Sequence, residues 1–417
     1  MSGFHRQHIF SWRPRALAQL VLTGILALLV AMPAAAQQAG GPVLPPIVGT
    51  AHGQTRAIAV RSANPRLLEQ ARFLFGLHGA YRIEAQGRPD FVFSFEPAGE
   101  RAVELIIASA GVELLRETHQ GRDAAEALTR AADQAVRRTT GLPGFFGGMI
   151  AFVSDRSGSR EIHTSDLLFS RTRQLTTDRV ECLLPNLSPD GRTLLYTSYH
   201  RNGFPDIFAV DLATGRRTLF AGYRGTNTGA TFSPDGQSVA MILSSAGNAE
   251  LFIADRSGRQ LRRLTNNDSL EADPVWAPDG KRLALTSDRT GRPQIYLIDA
   301  QGRDFTRVPT NISRHCAEPA WNPRNPDQLA FTAATSGTFQ TALYSFRTGQ
   351  SRFITGGAAD TVHPTWLSDG RHLICTERTS TYHRLVVLDS ETGRRSRLTP
   401  AELRNTEMAS FVYPEQP

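Results

Sequence analysis

Apolar and polar residues alternate along most of the chain after residue 148, and the alternation is punctuated at regular distances. In the stretch from Asp273 to Thr310, Val275 and Trp276 begin a short apolar strand. Ala277-Pro278-Asp279-Gly280 is a turn: Pro presets φ, Asp bonds its own backbone and Gly accepts a positive φ. Leu283, Leu285 and Ser287 then alternate with Arg282, Ala284 and Thr286, which predicts a half-buried strand. Gln294 to Asp299 is a third strand and Thr306 to Pro309 a fourth. Four strands in a meander make one sheet, and such a sheet cannot bury both faces alone.

The same unit recurs. Its large apolar residue stands at Leu187, Phe232, Trp276, Trp321 and Trp366, each followed by an S-P-D-G-like turn. The spacing is about 45 residues, the range of four-stranded propeller blades. One further step reaches Phe411. Before residue 187 an incomplete unit has second, third and fourth strands (Met149 to Ser154, Glu161 to Asp166, Arg171 to Thr176) but no first. The Phe411 strand supplies it, so the two ends share a sheet and close the ring, which removes free edges. The expectation is mainly β: a six-bladed β-propeller over 149–414, closed by a C-terminal strand, with Phe232, Trp276, Trp321, Trp366 and Phe411 as structural residues at one phase.

Ahead of it the period changes. Thr55 to Val60 reads as a strand. Asn64 caps a helix that begins at Pro65, with Leu67, Leu68, Ala71, Leu74 and Phe75 on one face. Tyr81 to Ala85, Asp90 to Phe95, Ala102 to Ala108 and Val112 to Thr118 read as strands. Asp123 starts a second helix that Gly141 and Pro143 stop. This predicts a small α/β domain over 55–141 and a linker over 142–148.

The first 36 residues read as a secretory signal. Arg6, Arg13 and Arg15 precede the apolar run Leu20 to Val30, and Ala34-Ala35-Ala36 is a small-residue cleavage site. The run is too short to span a bilayer in the usual way. Cleavage near Ala36 takes the formal charge from +7 to +4 and leaves a Pro/Gly-rich flexible arm over 37–54. Among the basic residues only Lys281 is lysine, and the arginines are spread over all blades without interleaved aromatics, so no nucleic-acid partner is expected. The three cysteines, Cys182, Cys316 and Cys375, fall at positions a propeller keeps apart, and free thiols are expected.

Catalytic signatures are missing. No G-x-S-x-G elbow, H-E-x-x-H, Cys-x-x-Cys or EF-hand loop occurs, and the S-P-D-G turns depart from a sialidase Asp box. His315-Cys316 with Glu318 is the nearest approach to a metal cluster and is read as a solvated loop; no metal or cofactor is expected. Three residues before each first-strand aromatic stand Leu184, Gly229, Asp273, Glu318, His363 and Met408. That position is expected where the innermost strands begin, at the channel mouth. Asp273, Glu318 and His363 on consecutive blades either cap strand ends in water or form a rim that receives a partner.

The S-P-D-G turns, Ser287-Asp288-Arg289-Thr290-Gly291-Arg292-Pro293-Gln294-Ile295-Tyr296, Asp211-Leu212-Ala213-Thr214-Gly215, and the helix Asp123 to Thr139 followed by Gly141-Leu142-Pro143-Gly144 resemble the TolB family, the periplasmic propellers of the Tol-Pal system. The likeness runs from about Ala131 to Pro414. It implies a non-catalytic, periplasmic, monomeric binding protein that maintains the outer membrane and its constriction during cell division. A Pal-like outer-membrane lipoprotein is then expected at the channel mouth and an inner-membrane Tol protein at the N-terminal arm. The family's rim motif falls on Thr226-Asn227-Thr228-Gly229-Ala230, where Asn227 matches, and its acidic rim positions fall on Asp273, Glu318 and His363. These five (Thr226, Asn227, Asp273, Glu318 and His363) are the candidate partner-binding residues, and no catalytic residue is assigned. The alternative is a propeller lyase or glycan-active enzyme using His315 or His363.

Overall fold

The computed structural model describes residues 55–85 and 87–414. The expected signal segment and the arm of residues 37–54 lie outside them. Among the described residues no helix is long and apolar enough to cross a membrane.

The N-terminal part is a five-stranded sheet with two helices. The strands β1 (Arg56–Arg61), β2 (Tyr81–Ile83), β3 (Phe91–Pro97), β4 (Ala102–Ser109) and β5 (Val112–Gln120) lie in the order β2-β1-β3-β4-β5. The helix α1 (Pro65–Leu77) starts where Asn64 Oδ1 accepts from the N–H groups of Arg66 and Leu67, two donors that no helical carbonyl can reach. The helix α2 (Ala124–Thr140) is capped by Asp123, whose side chain accepts from Glu126 N. It ends at Gly141, left-handed at φ 74°.

Six four-stranded sheets follow. Blade 1 combines Thr406–Val412 with Met149–Ser154, Glu161–Asp166 and Arg173–Gln174; Phe411 pairs with Ile150 and Val412 with Met149. Blades 2 to 6 begin at Cys182–Leu187, Asn227–Phe232, Glu271–Trp276, Cys316–Trp321 and Asp360–Trp366. The ring therefore has six blades and is closed by the C-terminal strand.

Two local expectations are corrected. The strand Arg282–Ser287 is buried from 283 to 287 rather than half-buried, because neighbouring blades cover both faces of the sheet. The fourth strand of that blade is only Thr306–Arg307, since outer strands have a partner on one side.

The phase of large apolar residues has a packing reason. Trp276 sits in a cluster with Ala240, Ile242 and Leu251 of the preceding blade and Leu283 and Tyr296 of its own. Its Nε1 donates across the blade boundary to Thr231 O at 3.2 Å, and Trp366 Nε1 donates likewise to Ala320 O at 3.0 Å. Trp321 packs on Ala277 and Ala284 of the preceding blade and bonds Pro326 O of its own turn. Each indole is a wedge between blades with its one donor satisfied. Phe232 fills the same place between blades 2 and 3. Phe411 lies so close to the linker that a Cβ on Gly148 would stand 2.2 Å from its ring.

The N-terminal core is continuous with the propeller. Phe75, Phe93, Phe95 and Leu128 belong to one apolar cluster with Phe145, Phe146, Ile150, Leu367 and Val387. Polar ties reinforce it. Arg394 of blade 6 donates to the carbonyls of Gly76 and His78 at the C-terminal end of α1, where carbonyls lack helical partners, and to Tyr81 O at the start of β2. Gly79 N donates to His372 Nε2, and a Cβ on Gly79 would stand 1.9 Å from Asp389 Oδ2. At the other seam Asp133 of α2, 4% exposed, accepts from Phe146 N, Gly147 N and the Tyr413 hydroxyl, joining helix, linker and closing strand.

Candidate functional site

The channel down the ring is walled by the six first strands. Every one of them breaks its ladder at the same place: the register slips between residues 272 and 275, 317 and 320, 362 and 365, and at the matching positions of the other blades. The residue in the slip is left-handed in all six, with φ of 53° at Leu184, 64° at Gly229, 50° at Asp273, 55° at Glu318, 51° at His363 and 54° at Met408. This is a β-bulge repeated six times, and a bulge re-aims side chains. Pro185, Pro274, Pro319 and Pro364 follow it; a proline costs no ladder bond at a place where the ladder is already broken.

The bulges are stitched together by threonines of the second strands. Thr286 Oγ1 donates to Asp273 Oδ2 at 3.0 Å and accepts from Glu318 N of the next blade at 3.1 Å. Thr332 Oγ1 donates to Glu318 Oε2 at 2.7 Å, and the same oxygen accepts from His363 N at 2.8 Å. Thr376 Oγ1 accepts from Met408 N at 3.1 Å. His363 Nδ1 lies 3.3 Å from Glu318 Oε1. Burial raises the Asp273 carboxyl above its ordinary value, the Glu318 carboxylate adds to the rise, and His363 and the Thr286 hydroxyl work against it. The wall is thus polar over three consecutive blades and apolar or small over the other three, Met408, Leu184 and Gly229.

A cavity of about 350 Å³ is lined by this ring and by Pro234, Pro323 and Trp276 on the side of the S-P-D-G-like turns. Asp273, Glu318 and His363 are brought together on its wall, but inside the channel at mid-strand rather than where the strands begin. Thr226 and Asn227 are not part of the cavity lining. Asn227 is buried at the start of its strand, donating to Pro205 O and Asp206 Oδ1 and accepting from Tyr223 N. Thr226 precedes it, its N–H held by Ser244 Oγ. The strand start thus lies at a blade junction, where the Asn227 amide closes the turn. The bridging threonines were missed; their signal was the common phase of Thr197, Thr286, Thr332 and Thr376 in the second strands.

His315, the other histidine considered, is half-buried and meets the Phe339 ring edge-on at 5.2 Å. Among the described residues His78, Asp369 and His372 are the one cluster with metal-ligand chemistry. Both ring nitrogens of His372 are already committed, to Asp369 Oδ2 at 2.5 Å and Gly79 N at 2.8 Å. That leaves too few ligands for a closed four-coordinate centre. The cysteines are buried and unpaired, and burial pushes the thiols of Cys182 and Cys375 up to about 12.

Residues 136–409, the segment that builds this ring, match the profile of the TolB beta propeller domain. The chain belongs to the TolB β-propeller family. Among relatives, the Tol-Pal system protein TolB of Anaeromyxobacter dehalogenans is 33% identical over 183 residues, 43% of this chain and 42% of the relative. A TolB homolog of Chlorobium chlorochromatii is 31% identical over 173 residues, 40% of this chain and 38% of the relative. The matched part thus spans about two fifths of those TolB relatives' own length. Among solved structures, TolB from Acinetobacter baumannii superposes with a TM-score of 0.76 at 23% identity, covering 87% of this chain and 98% of that one. That likeness concerns the fold of a TolB protein from end to end.

Proposed function

We propose that this chain is a periplasmic, non-catalytic binding protein of a Tol-Pal-like envelope system. Its channel receives an outer-membrane lipoprotein of the Pal type, and the arm of residues 37–54 engages an inner-membrane Tol protein. In this role it maintains the outer membrane and its constriction at division. The observation that carries the reading is the one-sided wall of the channel. Asp273, Glu318 and His363 line three consecutive blades, already oriented by Thr286 and Thr332, beside an apolar half that a protein segment can bury. Family membership and the curated relatives named as Tol-Pal proteins support it. Against the enzyme reading stands the use of His363: its Nδ1 faces Glu318 at 3.3 Å and its backbone N–H is held by the same carboxylate.

The test is capture of a purified Pal-type lipoprotein domain by the full mature protein. Asp273→Asn with Glu318→Gln removes both charges while keeping shape and hydrogen-bond acceptors. Affinity is expected to fall about tenfold or more, the scale for charged groups at a buried interface. The melting temperature should not fall. Capture by the double variant equal to that of the wild type discards the channel assignment, and turnover of a periplasmic glycan lost on His363→Ala would favour the enzyme.

A further inference from the structure

We infer that the outer edge of blade 2 is a second docking surface, one that takes an extended peptide segment alternating acidic and apolar side chains. The fourth, outermost strand is 2 residues long in blades 1, 3 and 4, 4 in blade 5 and 3 in blade 6. In blade 2 it is Arg217–Ala221, 5 residues, with its outer side unpaired. Short edges are a common protection against strand addition, and this blade departs from it, with a regular ladder over Arg217–Leu219 before the register slips ahead of Ala221. It departs in side chains as well. Five large hydrophobic residues stand exposed among the described residues, and three are here: Phe204 at 63%, Leu219 at 45% and Tyr223 at 41%.

Their segments are adjacent. A Cβ on Gly222 would stand 2.9 Å from both Leu219 Cδ2 and Arg201 Nη2, and Arg201 donates to Gly222 O at 3.1 Å. Tyr223 N is held by Asn227, whose amide reaches Pro205 O next to Phe204. Alternate side chains beside an unpaired backbone edge are what strand addition recognises.

Charge selects the occupant. Arg201 and Arg217 are paired with Asp206 and Asp178, but Arg216 and Arg224 are exposed and hold no ion pair among the described residues. A second copy of this chain laid edge to edge would set arginines against arginines. An acidic strand instead meets Arg216 at one end and Arg224 at the other while its apolar side chains cover Leu219. The surface is separate from the channel wall, so its fate does not depend on the function proposed above.

The probe is a fluorescein-labelled peptide of alternating glutamate and valine, titrated against the full mature protein by anisotropy at low salt. Saturable binding is expected, weakened about tenfold or more by Arg216→Glu with Arg224→Glu and abolished by Leu219→Glu. Amide exchange at Leu219, whose N–H faces the open edge, should slow in the complex. A lysine-valine peptide should not bind, and Asp273→Asn with Glu318→Gln should leave binding unchanged. Absence of saturation, protection elsewhere, or loss of binding in the channel variant overturns the proposal. So does a dimer of the free protein that Leu219→Glu dissolves.

Discussion

Replacing Asp133 by Asn alters little but charge, at the point where α2, the linker and the closing strand meet. Burial pushes the Asp133 carboxyl from 3.8 up to about 6, against the pull of Phe146 N, Gly147 N and the Tyr413 hydroxyl. A rise of about 2 units corresponds to roughly 3 kcal/mol at 1.36 kcal/mol per unit. The folded protein holds this proton more tightly than the unfolded chain does. The stabilisation is therefore fully present below pH 3.8 and is lost as pH rises through 6. Asn has no such dependence, but its NH₂ faces donors and leaves one of them unmet, a cost of about 1–3 kcal/mol.

The variant should accordingly be less stable than the wild type by about 1–3 kcal/mol near pH 3.5 and equal to it or better near pH 7.5. Urea unfolding followed by the fluorescence of Trp276, Trp321 and Trp366 measures both, and the difference between the two proteins cancels every other titrating group. Because the N-terminal core runs on into blades 1 and 6, a single transition is expected. A gap that widens as pH rises would mean that the three donors outweigh burial and that the carboxylate is the favoured form; the reasoning would then be wrong.

Trp366→Ala removes a wedge between blades 5 and 6 and its bond to Ala320 O; a loss of about 3–5 kcal/mol is expected from denaturant unfolding. The His78 imidazole is held well below its ordinary value of 6.5, first by burial and then by His372, Arg371 and Arg394. A base so depressed gives stability that is present above pH 6.5 and lost as pH falls, so the wild type should lose up to about 1.4 kcal/mol per pH unit below 6.5 relative to His78→Phe. Burial of Cys182, Cys316 and Cys375 predicts that a thiol reagent finds no reactive group in the native protein and three in denaturant without reductant; fewer than three would mean a disulfide.

The ring was legible because its signal is local and repeated. A large apolar residue followed by a turn needs no partner to be recognised, and the unit lacking a first strand pointed to Phe411. The bulges were not legible in the same way. Three of the six left-handed positions carry Leu, Glu or Met, side chains that do not announce a positive φ, and the Asp and His among the rest are only weak signals of one. Gly229 was the clearest hint in that column. The seam formed by Gly79, His372, Asp389 and Arg394 joins residues about three hundred positions apart, and no periodicity reports such a meeting. The burial of Asn227 was hidden for a related reason: a motif carried over from relatives states a residue but not what it bonds.

The channel carboxylate offers a way to ask whether its position serves the fold or a partner. Asp273 stands at φ 50° with its carboxyl raised by burial and by the neighbouring Glu318. Asn tolerates the left-handed region at least as well as Asp and can accept the same bond from Thr286. The raised carboxyl means that the wild type loses stability as pH rises above the ordinary value of 3.8. Asp273→Asn should therefore melt higher than the wild type near neutral pH, with the advantage vanishing in acid where both side chains are uncharged. A fold alone would be better served by the amide. If the variant gains stability and loses capture of the lipoprotein, the charge is held in the channel by what it binds; if it melts lower at neutral pH, the carboxylate is part of the scaffold and the polar wall is only the seam between blades.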